Sequence, residues 1–177
     1  MIVHFKNLKK LVLHRNAIEN IHFHLLPLEH LQYLDLSNNP LENLVFMFQG
    51  LPPSLTTLIM CECDLENLPN EISLLTSLEH LDLGSNNLRT LPAEIGQLTN
   101  LKVLHLDDNS MDFLPAAFSD LKNIEDLDIS DNNFADEYGL PLTFLLFSFC
   151  SSPHLRTLYI AEGTVSPAFW RTSFWIT

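Results

Sequence analysis

The chain has 177 residues, 46% of them hydrophobic, enough for one domain with a sizeable core; a disordered chain is excluded. Lys and Arg total 9 against 22 Asp and Glu, a net charge of −13 with neutral histidines, so nucleic acid and anionic lipid would be repelled and neither is an expected partner. The three cysteines, Cys61, Cys63 and Cys150, are too few and too poorly spaced for a disulfide framework or a CxxC zinc site, which favours a reducing, cytoplasmic setting.

The first ten residues lack the basic start and apolar core of a signal peptide. The longest apolar run, residues 140–150, is shorter than the roughly 20 residues that span a bilayer, so no membrane insertion is expected. From Leu8 onward one pattern, LxxLxLxxNxL, recurs seven times, opening at Leu8, Leu31, Leu55, Leu78, Leu101, Ile124 and Leu155. Successive spacings are 23, 24, 23, 23, 23 and 31 residues. Positions 4 and 6 of each copy alternate with polar residues, as in Leu81-Asp-Leu83, and predict a short half-buried strand. Apolar residues at position 11 (Ile18, Leu41, Leu65, Leu88, Met111, Phe134, Val165) and near position 18 (Leu25, Phe48, Ile72, Ile95, Phe118) are expected to close the core.

Position 9 carries Asn16, Asn39, Asn86, Asn109 and Asn132, with Cys63 in the third copy and Gly163 in the last. A side-chain amide both donates and accepts, so stacked asparagines satisfy backbone groups that buried turns leave unpaired. These residues are read as a structural ladder. Cys63 is a small, weakly donating occupant of the same slot, and Cys61, two residues earlier, is expected to point out of the strand.

The seven in-register copies resemble the leucine-rich repeat family over residues 8–177. Leu68-Pro-Asn-Glu-Ile72, Leu91-Pro-Ala-Glu-Ile95 and Leu114-Pro-Ala-Ala-Phe118 are similar to the LPxxI variant of intracellular scaffolds such as the Ras suppressor protein and the Scribble/Erbin group. The resemblance implies an α/β right-handed solenoid, or horseshoe, of about seven repeats forming a single domain, residues 1–177, with a short parallel concave sheet. Irregular or 3₁₀ connections are expected on most of the convex side. The implied function is a non-enzymatic scaffold or adaptor in signalling; the alternative is a regulatory or inhibitory subunit of an enzyme, such as a phosphatase regulator or a ubiquitin-ligase substrate receptor.

In such a solenoid positions 2, 3, 5, 7 and 8 face the concave side, and because adjacent strands lie about 4.8 Å apart, equal positions of successive repeats form lateral rows. The position-5 row reads Val12, Asp35, Ile59, Asp82, His105, Asp128, Tyr159, and the position-3 row Lys10, Tyr33, Thr57, His80, Val103, Asp126, Thr157. Asp107 lies at position 7, Asp108 and Asp131 at position 8. Residues 1–30 carry a net +2 and residues 31–137 a net −16, with the acids densest on repeats four to six. This predicts a protein partner with a basic surface, with Tyr33, Ile59 and Tyr159 as apolar anchors among Asp35, Asp82 and the other concave aspartates.

His105, between Asp82 and Asp128 and diagonal to His80, is expected to titrate above its ordinary value. No metal site is expected from His80, His105 and the aspartates, because exposed strand positions are not preorganised and no supporting shell is visible. His22 and His24 read as solvated. No cofactor is expected. No GxSxG, HExxH, Walker A or GxGxxG motif occurs, and Asp82 with Asp128 lacks a water-excluding pocket, so no catalytic site and no enzyme activity is expected.

The sixth repeat holds eight residues more than the usual 23, including the apolar run 138–150, read as a convex helix after Pro141 rather than an exposed docking patch. Residues 166–177 form an atypical aromatic tail where a polar cap is usual. Either the chain is a fragment of a longer array, or the tail folds back as a cap. A monomer is expected unless uncapped ends associate.

Overall fold

A computed structural model describes residues 5–21, 25, 28–134 and 154–160. Among them seven three-residue strands occur: β1 Lys10–Val12, β2 Tyr33–Asp35, β3 Thr57–Ile59, β4 His80–Asp82, β5 Val103–His105, β6 Asp126–Asp128 and β7 Thr157–Tyr159. They form one parallel sheet in chain order, and every pairing joins equal repeat positions, as in Leu34↔Leu58 and Asp82↔His105. The side-chain period of 2 explains the division of labour. Leu34, Leu58, Leu81, Leu104 and Leu127, each the middle residue of its strand, are fully buried, whereas their neighbours at positions 3 and 5 face the concave side.

Position 6 stays buried just past each strand (Leu36, Met60, Leu83, Leu106, Ile129), as does position 11 from Leu41 to Phe134. Opposite the sheet, Pro69, Pro92 and Pro115 lead into 3₁₀ turns Asn70–Leu74, Ala93–Gln97 and Ala116–Asp120. Proline suits that entry because its fixed φ matches the turn and its missing N–H would have no partner there. The turns insert Ile72, Ile95 and Phe118 fully into the core. They also stack closely: a Cβ at Gly96 would run into the Ala117 carbonyl.

Repeat two departs from the expected convex connection. Val45 stands where repeats three to five carry proline, the repeat has 24 residues, and the segment Leu44–Gln49 forms a short helix, α1. Leu44, Met47 and Phe48, at helical spacing, are buried, while Val45 and Phe46 face outward. Without the proline and with one more residue, this stretch closes i→i+4 bonds, such as Met47 N–H to the Asn43 carbonyl, instead of a tighter turn.

The expected helix after Pro141, the apolar run 138–150, His22, His24 and the tail 166–177 lie outside the described residues. Among the described residues no helix is long and apolar enough to cross a membrane.

Candidate functional site

The concave surface is held in place by the rungs beneath it. Asn39 Oδ1 accepts the N–H groups of Asn16 and Ile18, at 3.1 Å each, and its Nδ2 donates to the Leu13 and Leu36 carbonyls. Asn86 repeats the pattern with the Cys63 and Leu65 N–H groups and the Met60 and Leu83 carbonyls. Asn109 and Asn132 continue it, accepting from Leu88 and Met111 respectively. Asn16 is exposed and donates to the Leu13 and His14 carbonyls.

Cys63 fills the third rung differently. Its Sγ lies 3.3 Å from the Leu36 carbonyl and 3.4 Å from that of Cys61, and burial pushes its thiol up to about 11. A thiol is a poor acceptor, and the Leu41 N–H, whose equivalents bond to an asparagine oxygen, turns to the Asn39 carbonyl at 2.8 Å. Cys61 faces the groove, its Sγ 3.2 Å from Ser37 Oγ.

Immediately before each rung, position 8 turns left-handed. Arg15, Asn38, Glu62, Ser85, Asp108 and Asp131 all have φ between 50° and 59°. Such a conformation is unusual for residues other than glycine, and its recurrence in six repeats fixes the direction in which these side chains leave the backbone. Asn38, Asp108 and Asp131 are of the types that favour this region, whereas Arg15, Glu62 and Ser85 gave no sign of it.

A second feature was readable but unread. Asp35 Oδ1 accepts the Ser37 N–H at 3.0 Å and the Ser37 hydroxyl at 2.7 Å. Asp82 Oδ1 accepts the Gly84 N–H at 3.0 Å, and Asp128 Oδ1 takes both Ser130 donors, at 2.9 and 2.6 Å. The recurring triplets Asp35-Leu-Ser37, Asp82-Leu-Gly84 and Asp128-Ile-Ser130 carry the signal of this local turn. One oxygen of each aspartate is thereby committed to the backbone. Burial acts to raise the Asp35 and Asp82 carboxyls, but the Ser37 bonds in one case, and His105 with the Gly84 N–H in the other, outweigh it and hold both below the ordinary value.

The two ends of the face differ in charge balance. At the first repeats Lys10 Nζ sits 4.0 Å from the Tyr33 ring centroid, and His14 Nδ1 lies 3.2 Å from Asp35 Oδ2. Burial first, then Asp35 and Asp82, raise the Tyr33 phenol. Ile59 is half-buried in the middle of the row and Tyr159 is exposed at β7. Over repeats four to six, Asp82, Asp126 and Asp128 are half-buried at strand positions, Asp107 lies across bare Gly84, and Asp108 and Asp131 are exposed. Burial, then Asp128 and Asp82, raise the Asp107 carboxyl. Lys102 and Arg156 pair instead with Glu79 (2.7 Å) and Glu125 (3.4 Å) in the position-2 row. Lys102 and Arg156 thus direct their charge to glutamates rather than to these six aspartates.

Two histidines interrupt the acids. The His80 and His105 rings meet edge to face, centroids 5.7 Å apart, and His105 Nδ1 lies 3.9 Å from Asp82 Oδ2, an ion-pair contact rather than a formed hydrogen bond. Asp82, helped by Asp126 and Asp107, raises His105 against the effect of burial, the direction expected from the sequence. Burial, then the His105 charge, lowers His80. His80, Asp82 and His105 are the described residues that could hold a metal ion.

Known structures share this fold. The chain is similar to a leucine-rich repeat protein of Leptospira interrogans (24% identity, TM-score 0.71, covering 93% of this chain and 45% of that one). It is similar to an internalin of Listeria monocytogenes (21%, TM-score 0.75, 98% and 47%). It also resembles TLR13, solved in complex with the single-stranded RNA ssRNA13 (31%, TM-score 0.72, 88% and 22%). The chain thus spans less than half the length of each. No curated protein sequence matches it. A family model described as a leucine-rich repeat region matches residues 1–177, and with the sheet register and the asparagine rungs in agreement, the chain belongs to the leucine-rich repeat family.

Proposed function

We propose that this chain is a non-enzymatic protein-interaction module that binds a basic surface of a protein partner along the concave face of repeats four to six. The observation carrying this reading is the set Asp82, Asp107, Asp108, Asp126, Asp128 and Asp131, gathered on three adjacent repeats whose Lys102 and the neighbouring Arg156 pair with Glu79 and Glu125 instead. Like charges on strands about 4.8 Å apart add their fields, and a concave surface focuses them, which speeds encounter with a cationic partner and disfavours an anionic one. RNA of the kind bound by TLR13 would set its phosphates against these carboxylates, so nucleic acid is not the proposed ligand. Ile59 and Tyr159 offer apolar contact at either side of the acids.

The three LPxx turns of repeats three to five support the finer reading, a monomeric cytoplasmic scaffold or adaptor of the Ras-suppressor type. The test uses Asp108→Asn, Asp128→Asn and Asp131→Asn together. Asparagine tolerates the left-handed backbone of positions 108 and 131 and keeps an acceptor for Ser130, so the melting temperature should hold. Proteins captured from cytosolic lysate are compared between the wild type and the triple variant by mass spectrometry. Selective loss of partners with basic surfaces is expected; identical capture would end this reading.

A further inference from the structure

We propose that His80, Asp82 and His105 form a binding site for a divalent transition-metal ion, with zinc the best match. The inference goes beyond partner binding and does not rest on it. Residues two apart on a strand share a face, so β4 presents His80 and Asp82 together, and the register sets His105 of β5 directly beside Asp82. One ligating atom from each residue lies within 4.8 Å of those from the other two. Zinc bonds of about 2.0–2.2 Å in a tetrahedron separate ligand atoms by about 3.4 Å, so the three must close by little more than an ångström, within the reach of side-chain torsions on a fixed sheet. Two imidazoles and one carboxylate are a donor set for zinc and its transition-metal neighbours; magnesium and calcium prefer oxygen throughout.

Two further observations point to a cation here. His80 Nε2 is shielded from solvent yet has no hydrogen-bond partner among the described residues, and the same holds for Asp126 Oδ1, in the same row two strands away. Buried polar atoms without partners are costly, and a metal ion would engage the nitrogen while compensating the nearby carboxylates. Asp126 is close enough to act on both histidines. The supporting shell absent from the sequence reading is also present: the Gly84 N–H holds Asp82 Oδ1 at 3.0 Å and leaves Oδ2 toward His105. Three protein ligands leave a fourth position open to the groove, for water or for a partner's side chain.

The test uses the full chain, stripped with a chelator and returned to chelator-free buffer. Zinc chloride is titrated by calorimetry while histidine side-chain ¹H–¹⁵N spectra are recorded. The expected result is one ion per chain, with the His80 and His105 ring nitrogens shifting and those of His14, His30 and His154 unmoved. His105→Gln and Asp82→Asn should each weaken binding about tenfold or more. His105 is partly exposed at the sheet surface, so His105→Gln is expected to fold with a melting temperature in chelator lowered only by the loss of its contact with Asp82. Absence of saturable binding, unchanged affinity in His105→Gln, or zinc binding that leaves the His80 and His105 signals still would each overturn the proposal. Equal affinity for magnesium would also overturn it, since that would mark a carboxylate cluster rather than an imidazole site.

Discussion

The junction of repeats two and three and the junctions from repeat three to repeat six share one backbone plan and differ at a few side chains. In the later junctions an asparagine amide joins each pair of repeats by donating and accepting, whereas Cys63 offers only weak sulfur bonds and the Leu41 N–H must bond within its own turn. The surfaces above them diverge in parallel. Asp35 shares His14 and Ser37 and Tyr33 lies beneath Lys10, while Asp107 is crowded by its own kind. Because each repeat touches only its neighbours, one position can be rewritten locally, and its physical meaning depends on the residues one repeat to either side.

The sharpest way to break this comparison is at the rungs. Asn109→Ala strands the Leu88 N–H and takes one of two asparagine donors from the Leu83 and Leu106 carbonyls, which keep Asn86 and Asn132, and a loss toward the upper end of about 1–3 kcal/mol is expected in urea unfolding. Cys63→Ala removes weak sulfur bonds alone and should cost far less; equal losses would show that the two rungs do the same job. The convex stacking comes next. Gly96→Ala should cost about 1–3 kcal/mol, because its Cβ meets the rigid Ala117 carbonyl, whereas Gly84→Ala meets the tip of the Asp107 side chain, which can swing away.

The smallest effects separate the two ends of the acidic face by pH, measured on chelator-treated protein. Asp35 is lowered by folding, so its stabilising contribution is present above the unfolded value of about 3.9 and is lost as pH falls through the folded value. Asp107 is raised, so its ionised form works against the folded state at neutral pH, and that penalty disappears once pH falls below the unfolded value. Asp35→Asn should therefore lower the melting temperature at pH 7, and Asp107→Asn should raise it, with both differences shrinking at about pH 3. Shifts of the same sign at neutral pH would contradict the assignment.

What the sequence made legible was whatever repeats. The period located all seven strands, the buried Leu34-to-Leu127 column, the position-5 row and the rungs, since register follows from equal spacing. Helix α1 was hidden because it arises where the period slips by one residue and a proline is absent at Val45. The Lys10–Tyr33 contact follows from a row that was in plain view, whereas His14 reaches Asp35 diagonally, between rows. The backbone bonds of Asp35, Asp82 and Asp128 were missed because aspartates on a face were read as charges only, although the residue two places on was Ser or Gly each time.

The left-handed corners at position 8 have a consequence for how such a surface can change. Arginine, asparagine, glutamate, serine and aspartate all occupy the same backbone geometry in successive repeats. The asparagine rung that follows most of them fixes that geometry irrespective of the side chain carried. Folding is therefore nearly blind to the lettering on this column: the frame is cast once per repeat, and the type set into it can be exchanged, residue by residue, to compose a different message for a different reader.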